Sequence, residues 1–312
     1  MKQIVECVPN FSEGRDVSKI DAISAAIQSV TGALVLDRSS DVDHNRTVIT
    51  MAGPPDAILE AALGAVGKAA ELIDLRKHSG VHPRIGATDV LPFVPVKGVT
   101  LADCARLAHK AGREIWERYR IPVYFYEAAA KRPERANLVS VRKGQFEGLG
   151  EEILCNPDRA PDVGDARLHP SAGATAVGAR KFLIAYNINL NTADVAVAKR
   201  IARAIRFSSG GLPFVKAMGV VLRSRKLAQV SMNLTDFEQT SIRHAFEAVQ
   251  SEAAREGVSI AGSEIVGLIP RRAIEAASGI DLLLENFSVT QVFENRLESA
   301  EDQRKRAPWE PE

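Results

Sequence analysis

The sequence has few cysteines and no closely spaced pair of them. Cys7, Cys104 and Cys155 are the three cysteines among 312 residues, and none forms a CxxC motif with another. Disulfide-stabilised domains and cysteine-ligated metal sites both need several cysteines at short spacing. We therefore expect a reducing compartment, no disulfides and no metal bound through cysteine.

Neither sign of charge predominates. The chain has 40 lysines and arginines against 39 aspartates and glutamates, which gives a formal net charge of +1. Binding to nucleic acid or to an anionic membrane surface is favoured by a large excess of basic residues. The composition therefore supports no nucleic-acid or membrane partner, and a basic binding site must be local.

Long apolar runs are also missing. None reaches the roughly 20 residues that a transmembrane helix needs. At the amino end Glu6 interrupts the apolar continuity that a signal peptide requires. We expect a soluble, cytoplasmic protein.

The two halves of the chain have the same predicted order of elements. At 312 residues the chain exceeds what one hydrophobic core usually serves. Each half reads strand, helix, strand, strand, helix, strand, which is typical of a split βαβ arrangement with helices on one face of a mainly antiparallel sheet. We predict an α+β fold with domains at residues 1–177 and 178–297, followed by a charged, frayed tail at 298–312.

Two helix starts are predicted from capping boxes, in which a Ser or Thr precedes an acidic residue by three positions. Thr100 with Asp103 predicts one helix start. Thr235 with Glu238 predicts another, which opens a long helix from Asp236.

Two further segments have an unusual composition. Residues 89–96 contain two prolines, which predicts an edge strand or a strand with a bulge. Residues 131–150 are charged and irregular, and we expect a connector there.

Residues 77–89, KHSGVHPRIGATD, crowd polar side chains into a segment too broken to be a core element. Gly80, Pro83 and Gly86 interrupt it, and a residue before proline favours an extended backbone, so a loop presents the ring of His82. Because an unperturbed imidazole titrates near neutral pH, one ring can both accept and return a proton. His82 is the leading catalytic candidate, and the alternative is a histidine that only caps a turn.

A metal site is a weaker interpretation of the same segment. On a helix the spacing of His78 and His82 would place both rings on one face, with Asp89 as a third zinc ligand. Gly80 and Pro83 argue against a helix, and no second cluster of His, Cys or acidic residues supplies more ligands. We therefore expect no metal.

Arginines and asparagines near the predicted strand ends are candidate binding residues. A guanidinium in a glycine-rich loop binds a carboxylate through two parallel hydrogen bonds, and an asparagine amide offers both a donor and an acceptor to a heterocycle. Surface ion pairs and turn-forming asparagines are the alternatives. The candidates are Arg46, Arg84, Asn10, Asn45, Asn187 and Asn189.

The segment 161–173, PDVGDARLHPSAG, is rich in Gly, Pro and Asp and separates the two halves by composition. This stretch contains neither a GxGxxG motif nor a Walker lysine, so a nucleotide phosphate loop is not expected. These patterns alone predict a two-part α+β protein with a polar, histidine-centred cleft. They favour an enzyme and identify no substrate.

Several long motifs resemble the glutamate formimidoyltransferase family. They are VECVPNFSEGR at 5–15, NRT at 45–47, HPRIGATDVLPFVPV at 82–96, GARKFLIAYNINL at 178–190, QVSMNLTDFE at 229–238 and VGLIP at 266–270. The motifs occur in the family's order and span nearly the whole chain. In animals the family is fused to a cyclodeaminase domain, and this chain resembles the stand-alone transferase.

The resemblance implies transfer of the formimino group from N-formimino-L-glutamate, a product of histidine breakdown, to tetrahydrofolate as co-substrate, with no metal. It also implies two tandem ferredoxin-like halves, a ligand cleft between their sheets and a homodimer. The catalytic histidine of the family falls on His82. Its folate-binding segment falls on Gly164, Asp165, Ala166, Arg167, Leu168, His169, Pro170, Ser171, Ala172 and Gly173.

On this resemblance nitrogen 5 of the reduced pterin attacks the amidine carbon, and His82 moves a proton from the attacking amine to the departing glutamate nitrogen. Asp89 or another carboxylate would stabilise the cationic formimino group. Substrate carboxylates would be bound by Arg46, Arg84 or Arg180.

Two hypotheses from other classes remain. One is a metal-dependent amide hydrolase that uses His78, His82 and Asp89. The other is a noncatalytic folate-binding module, which would bind reduced folate without consuming the formimino donor.

Overall fold

A computed structural model describes residues 3–222 and 224–306 of the chain. The chain forms two compact units, one extending to Arg180 and the other beginning at Lys181. Each unit has its own sheet and its own hydrophobic core, so the protein is a mixed α+β protein of two domains. The boundary predicted after residue 177 lies inside the last strand of the first unit, Thr175–Ala179.

The first unit contains most of the candidate site. Its strands are β1 (Ile4–Cys7), β2 (Asn10–Phe11), β3 (Leu34–Asp41), β4 (Arg46–Gly53), β5 (Thr88–Lys97), β6 (Val123–Glu127) and β7 (Thr175–Ala179). Its helices are α1 (Val17–Gln28), α2 (Pro55–Leu72), α3 (Leu101–Tyr119), α4 (Leu138–Val141) and α5 (Gln145–Cys155), with 3₁₀ turns at Leu75–Lys77, Pro133–Arg135 and Pro157–Arg159.

Strands β1 and β2 are two parts of one strand interrupted at Pro9. Each pairs antiparallel with β4 on one side and with β5 on the other. The sheet therefore runs β3, β4, β1 with β2, β5, β7, β6, and β7 is parallel to both β5 and β6. Strand β5, which follows the His82 loop, lies inside the sheet.

The prediction of an edge strand at residues 89–96 is wrong, whereas the alternative of a bulged strand agrees with the structure. Strand β5 pairs on both sides, and its register against β1 shifts where Val5 faces Pro95. A register shift lets the ladder continue past a residue that has no N–H to donate. The parallel strand β7 covers the edge that the local proline rule predicts to be free.

Helices α1, α2 and α3 enclose the main core of this unit against one face of the sheet. Val5 and Cys7 of β1 point into this core, as do Leu91 and Phe93 of β5. Because side chains alternate along a strand, Glu6 faces the opposite side of the sheet.

Residues 131–150, predicted as a connector, are wrongly assigned, because they contribute to a second core on that opposite side. Helices α4 and α5 pack there against the alternate side chains of β6. The cluster includes Val141, Leu149, Ile153, Tyr124 and Tyr126. Beside it, buried Arg135 pairs with Asp162 at 2.9 Å. Short helices whose exposed faces are charged have an amino-acid composition similar to that of a loop.

Helix starts in this unit follow local chemistry. Asp16 caps α1 through its side chain, and Pro55 occupies the first position of α2, where a missing N–H costs nothing. The capping box at Thr100 and Asp103 is confirmed, because the Thr100 hydroxyl accepts the Asp103 N–H at 3.1 Å while the Asp103 carboxylate accepts the Thr100 N–H at 2.8 Å.

The second unit repeats the order of elements. Its strands are β8 (Ile184–Leu190), β9 (Val215–Leu222), β10 (Leu227–Leu234) and β11 (Ile260–Val266), and its helices are α6 (Val195–Ile205), α7 (Ile242–Arg255), α8 (Arg271–Glu275) and α9 (Phe293–Arg306). All pairs in its sheet are antiparallel, in the order β11, β8, β10, β9. In the first unit β5, β1, β4 and β3 stand side by side in the corresponding order.

The capping box predicted at Thr235 and Glu238 is wrong. Helix α7 begins at Ile242, and the hydroxyl of Ser241 caps it by accepting a backbone N–H of the first turn at 3.2 Å. The Thr235 hydroxyl instead donates to the backbone carbonyl of Phe214, which lies just before β9, at 3.1 Å.

The predicted frayed tail is helical over the part that the structure describes. Residues from 298 to 306 continue helix α9, and residues 307–312 lie outside the described part of the chain. Within the described residues, no helix is both long and apolar enough to cross a membrane.

Candidate functional site

The loop that carries His82 joins the 3₁₀ turn Leu75–Lys77 to strand β5. Val81 and Pro83 beside it are exposed, whereas His82 itself is half-buried. The ring lines a polar depression together with Phe11, Ser12, His44, Asn45, Arg46, His78, Arg84 and Asp89. The structure thus brings the leading candidate of the sequence analysis together with four of its predicted binding residues.

The ring of His82 is neutral at neutral pH. Its pKa is lowered to about 3, chiefly because burial disfavours the charged ring and next because the guanidiniums of Arg46 and Arg142 repel its proton. A neutral imidazole has a nitrogen that can accept a proton. Once protonated, the ring would hold that proton weakly as long as no negative charge compensates the guanidiniums of Arg46 and Arg142.

Arg46 is positioned by Asn10. The side-chain oxygen of Asn10 accepts a hydrogen bond from Nη2 of Arg46, while its amide nitrogen donates to the Val8 carbonyl at 2.8 Å. Burial, and then repulsion by Arg142, lower the pKa of Arg46 to about 10, so the guanidinium stays cationic at neutral pH. Nε of Arg46 is buried and has no hydrogen-bond partner among the described residues.

Asp89 is buried at the start of β5 and already has two partners. One carboxylate oxygen accepts the backbone N–H of Ile85 at 2.8 Å. The other accepts a hydrogen bond from Nη2 of Arg142 and forms an ion pair with it. Asp89 therefore fixes both the exit of the His82 loop and the guanidinium of Arg142.

Arg84 and His78 hold the loop in place. Nη1 and Nη2 of Arg84 donate to the Glu147 carboxylate at 2.9 and 2.7 Å, and its Nε donates to Nδ1 of His78 at 3.1 Å. Because Nδ1 of His78 accepts, its Nε2 carries the proton and donates to the Asn45 carbonyl at 3.0 Å. Burial lowers the pKa of His78, which favours this neutral ring.

Asn45 joins three loops through its amide. Its side-chain oxygen accepts the Gly14 N–H at 2.9 Å, and its side-chain nitrogen donates to the Ser79 carbonyl at 3.0 Å. The backbone of Asn45 is left-handed, with φ of 48°. A Cβ on Gly80 would lie 2.4 Å from the His44 carbonyl oxygen, so only glycine allows the two loops to approach this closely.

The zinc interpretation does not fit these contacts. Both nitrogens of His78 and both carboxylate oxygens of Asp89 bond to protein groups. Residues 77–82 include no α-helix, so the spacing of the two histidines has no helical geometry. Across the residues that the structure describes, no group of three or more His, Cys, Asp or Glu side chains is arranged to hold a metal ion.

The segment Gly164–Gly173 begins in solvent and ends against the His82 loop. His169 and Gly173 exchange two backbone hydrogen bonds of 2.9 and 3.0 Å, and Nδ1 of His169 accepts the Ala172 N–H at 3.0 Å. The Ala172 carbonyl accepts the N–H of Ala87 at 2.9 Å. The end of the predicted folate segment therefore lies beside the exit of the His82 loop.

Three candidates lie elsewhere. Arg180 ends the first unit, where its charge acts on buried Glu6. Asn187 and Asn189 belong to β8 of the second unit, and their amides donate to Glu264 at 3.0 Å and to Glu285 at 3.1 Å.

Sequence reasoning missed three residues near the site or on the same unit. The ring of His44 lies 6.3 Å from that of His82, and its Nδ1 is 3.0 Å from a carboxylate oxygen of Asp41. Arg142 lies in the segment predicted as a connector. Glu6 is 2% exposed. His44 stands in a conspicuous polar turn that could have drawn attention, whereas no local pattern indicates Arg142 or Glu6.

Fold and site together define a two-domain α+β protein with a histidine-containing depression that Arg46 and Arg84 line. Residues 4–180 match the family model described as the formiminotransferase domain, N-terminal subdomain, and residues 185–300 match the formiminotransferase domain. The chain belongs to the formiminotransferase family.

Relatives support this assignment over most of the chain. Glutamate formimidoyltransferase of Streptococcus pyogenes serotype M1 is 48% identical over 95% of this chain and 99% of its own length. The protein of the same name from Thermoplasma acidophilum is 44% identical over 95% of this chain and 98% of its own length. Formimidoyltransferase-cyclodeaminase of Rattus norvegicus is 44% identical over 88% of this chain, which spans 51% of that larger protein.

Proposed function

We propose that this protein transfers the formimino group from N-formimino-L-glutamate to tetrahydrofolate, which yields 5-formiminotetrahydrofolate and L-glutamate. The observation that carries the proposal is the similarity, over nearly the full length of both chains, to proteins named glutamate formimidoyltransferase. Tetrahydrofolate is the co-substrate, and the site needs no metal.

His82 is the general base and then the general acid. Nitrogen 5 of the pterin attacks the amidine carbon, and the neutral ring of His82 takes the proton released by that nitrogen. The ring then gives the proton to the glutamate nitrogen as the carbon–nitrogen bond to glutamate breaks. The neutral state of the free ring supports the first of these steps.

The polar residues of the site divide into groups by their partners. Arg84, Asn45 and His78 make contacts that fix the loop, so their role is to position His82. Arg46 has donors left over after its bond to Asn10, and it binds a substrate carboxylate. The negative charge of Asp89, which lines the depression, stabilises the cationic formimino group.

Folate binds along the segment 164–173. The end of this segment lies against the exit of the His82 loop, which would bring a bound pterin close to the ring. Arg180, Asn187 and Asn189 are further candidates for contacts with the two substrates.

The repeated order of strands supports two tandem ferredoxin-like domains, divided between Arg180 and Lys181 and followed by the charged segment 298–312. The family resemblance extends this proposal to a ligand cleft between the two sheets, a homodimer and a cytoplasmic location. A net charge of +1 supports small molecules rather than nucleic acid as partners.

The test is incubation of the purified protein with tetrahydrofolate and N-formimino-L-glutamate, with the folate absorbance and the released glutamate measured together. We expect one glutamate for each folate converted, with no change after chelation of metals. Glutamate released without folate, and lost on chelation, would identify a metal-dependent hydrolase. Folate binding with no glutamate release would identify a binding module, and N-formyl-L-glutamate as donor tests the choice of one-carbon group.

A further inference from the structure

Two guanidiniums act on one carboxylate near His82, and Arg46, Asp89 and His82 line the same depression. Arg142 forms an ion pair with Asp89, and Arg46 lies close enough for its charge to act on Asp89, on Arg142 and on the histidine ring. Since the His82 ring is neutral, the group carries a net positive charge. A buried excess of one charge is unfavourable unless a counter-charge joins it.

The two arginines also retain hydrogen-bond donors. A guanidinium has five N–H groups, and in the described part of the chain each makes one side-chain hydrogen bond, Arg46 to Asn10 and Arg142 to Asp89. Nε of both residues is buried without a protein partner among the described residues. Charge and donors together indicate a site for an anion.

The chemistry of the donor substrate identifies that anion, provided that the proposed function holds. In N-formimino-L-glutamate the reacting nitrogen is bonded to the Cα atom, which also carries the α-carboxylate. The γ-carboxylate is two carbon atoms further away. Whatever base serves the reacting nitrogen must therefore have the α-carboxylate as its near neighbour.

We propose that Arg46 and Arg142 together bind the α-carboxylate of the formimino donor, and that this binding switches His82 into an effective base. Arg142 is thereby a substrate-binding residue that no local sequence pattern reveals. The incoming carboxylate compensates the two positive charges that repel a proton from the ring. The substrate thus raises the proton affinity of the group that acts on it.

The charged groups around the ring are consistent with this switch. Arg46 and Arg142 repel its proton most strongly after burial itself, and His44 adds a smaller repulsion. Asp89 is bonded to Ile85 and Arg142, and Asp41, whose charge also acts on Arg46, faces His44, so neither carboxylate compensates both guanidiniums. Because the ion pair with Asp89 holds Arg142 before substrate arrives, the site is preformed.

The first test follows the ring of His82 by NMR in the free protein and with ligands that cannot react. N-Acetyl-L-glutamine is uncharged at the nitrogen, keeps the α-carboxylate and replaces the γ-carboxylate by an amide, whereas 4-acetamidobutyrate keeps the γ-carboxylate and lacks the other. N-Acetyl-L-glutamate and N-acetyl-L-glutamine should each raise the pKa of His82, and 4-acetamidobutyrate should leave it unchanged at saturation. A shift with 4-acetamidobutyrate equal to that with N-acetyl-L-glutamine would overturn the proposal.

The second test uses Arg142→Gln, for which KM of the formimino donor should rise by about tenfold to a hundredfold, the loss expected for a charged hydrogen bond. KM for tetrahydrofolate should stay within about twofold, since its pterin does not use this pair. Arg142→Lys keeps the charge and should recover part of the donor affinity. Arg118→Gln, which removes an exposed arginine paired with Glu60, is the matched control and should change neither constant.

Loss of Arg142 leaves Asp89 buried and unpaired, so the double variant Asp89→Asn with Arg142→Gln guards against misfolding. If the folded double variant and Arg142→Gln both keep the wild-type KM for the donor, Arg142 has only a structural role. That result leaves the transferase activity of the wild-type protein intact. Absence of transfer by the wild-type protein would instead reject the proposed function itself.

Discussion

The rings of His44 and His82 meet edge to face, with centroids 6.3 Å apart and planes at 66°. The two histidines come from different loops, and Asp41 fixes His44 by accepting its backbone N–H at 2.7 Å and by facing its Nδ1 at 3.0 Å. The proposed base therefore has a second, oriented imidazole as its neighbour. A substitution at either position removes one imidazole and keeps the other, so the roles of the two rings can be tested separately.

Replacing His82 with alanine should lower kcat by about two orders of magnitude or more, because both ring nitrogens of His78 are already bonded to protein groups and Nδ1 of His44 faces Asp41. Folate should still bind, which fluorescence titration measures. The exposed histidine on α7 supplies a control, since His244→Ala should keep full activity. Wild-type turnover by the alanine variant at position 82 would remove that ring from the mechanism.

Replacing His44 with glutamine should raise the pKa of His82, because the His44 charge is among the causes that lower it. The effect should be smaller than that of neutralising Arg46, which precedes His44 among those causes. NMR titration of the His82 ring in His44→Gln and in Arg46→Gln gives the comparison directly. An unchanged titration after loss of His44 would show that the edge contact is packing alone.

Local patterns predict the elements better than they predict the site. The capping box at Thr100 and the strand and helix order of the second half depend on residues close together in the sequence, and both agree with the structure, whereas the capping box at Thr235 does not. The error at residues 89–96 arose because β7, far along the chain, covers β5. The rule that prolines favour edge strands cannot predict that β5 pairs with β7, a strand from a later part of the chain.

The same lack of long-range information explains why the sequence predicts the site only in part. Loop composition indicates His82 and its neighbours, because Gly and Pro keep them out of regular elements. The roles of those neighbours depend on partners remote in sequence. Glu147 is 63 positions from Arg84, and Arg142 is 53 positions from Asp89. Arg84, which the sequence suggests as a substrate ligand, is thus paired with Glu147, and no rule about sequence spacing predicts that pair.

Replacing Arg84 with lysine should destabilise the protein by about 1–3 kcal/mol, because lysine keeps the charge but cannot reproduce the paired bonds to Glu147 and the bond to His78. KM for the formimino donor should remain within about twofold. Urea unfolding and steady-state kinetics on the same preparation separate these effects. A large rise in KM with unchanged stability would restore Arg84 as a substrate-binding residue.

Glu6 should make the stability of the protein fall as pH rises from acid to neutral. Burial raises its pKa from 4.5 to about 7, against the opposing charge of Arg180. Between those two values the folded carboxyl keeps its proton while the unfolded one has lost it, so each increase in pH favours unfolding. Across this window the loss is on the order of 3 kcal/mol, and above pH 7 it is complete.

Glu6→Gln removes this dependence, because glutamine is neutral in both states. Relative to the wild-type protein, the variant should gain stability between pH 4.5 and pH 8, as urea unfolding at several pH values would report. The exposed Glu134→Gln controls for the loss of a surface carboxylate. Parallel pH profiles for wild-type and Glu6→Gln would mean that Glu6 is ionised in the folded protein as it is in the unfolded protein. Its buried side chain, on the face of the sheet opposite α1, α2 and α3, would then carry a negative charge.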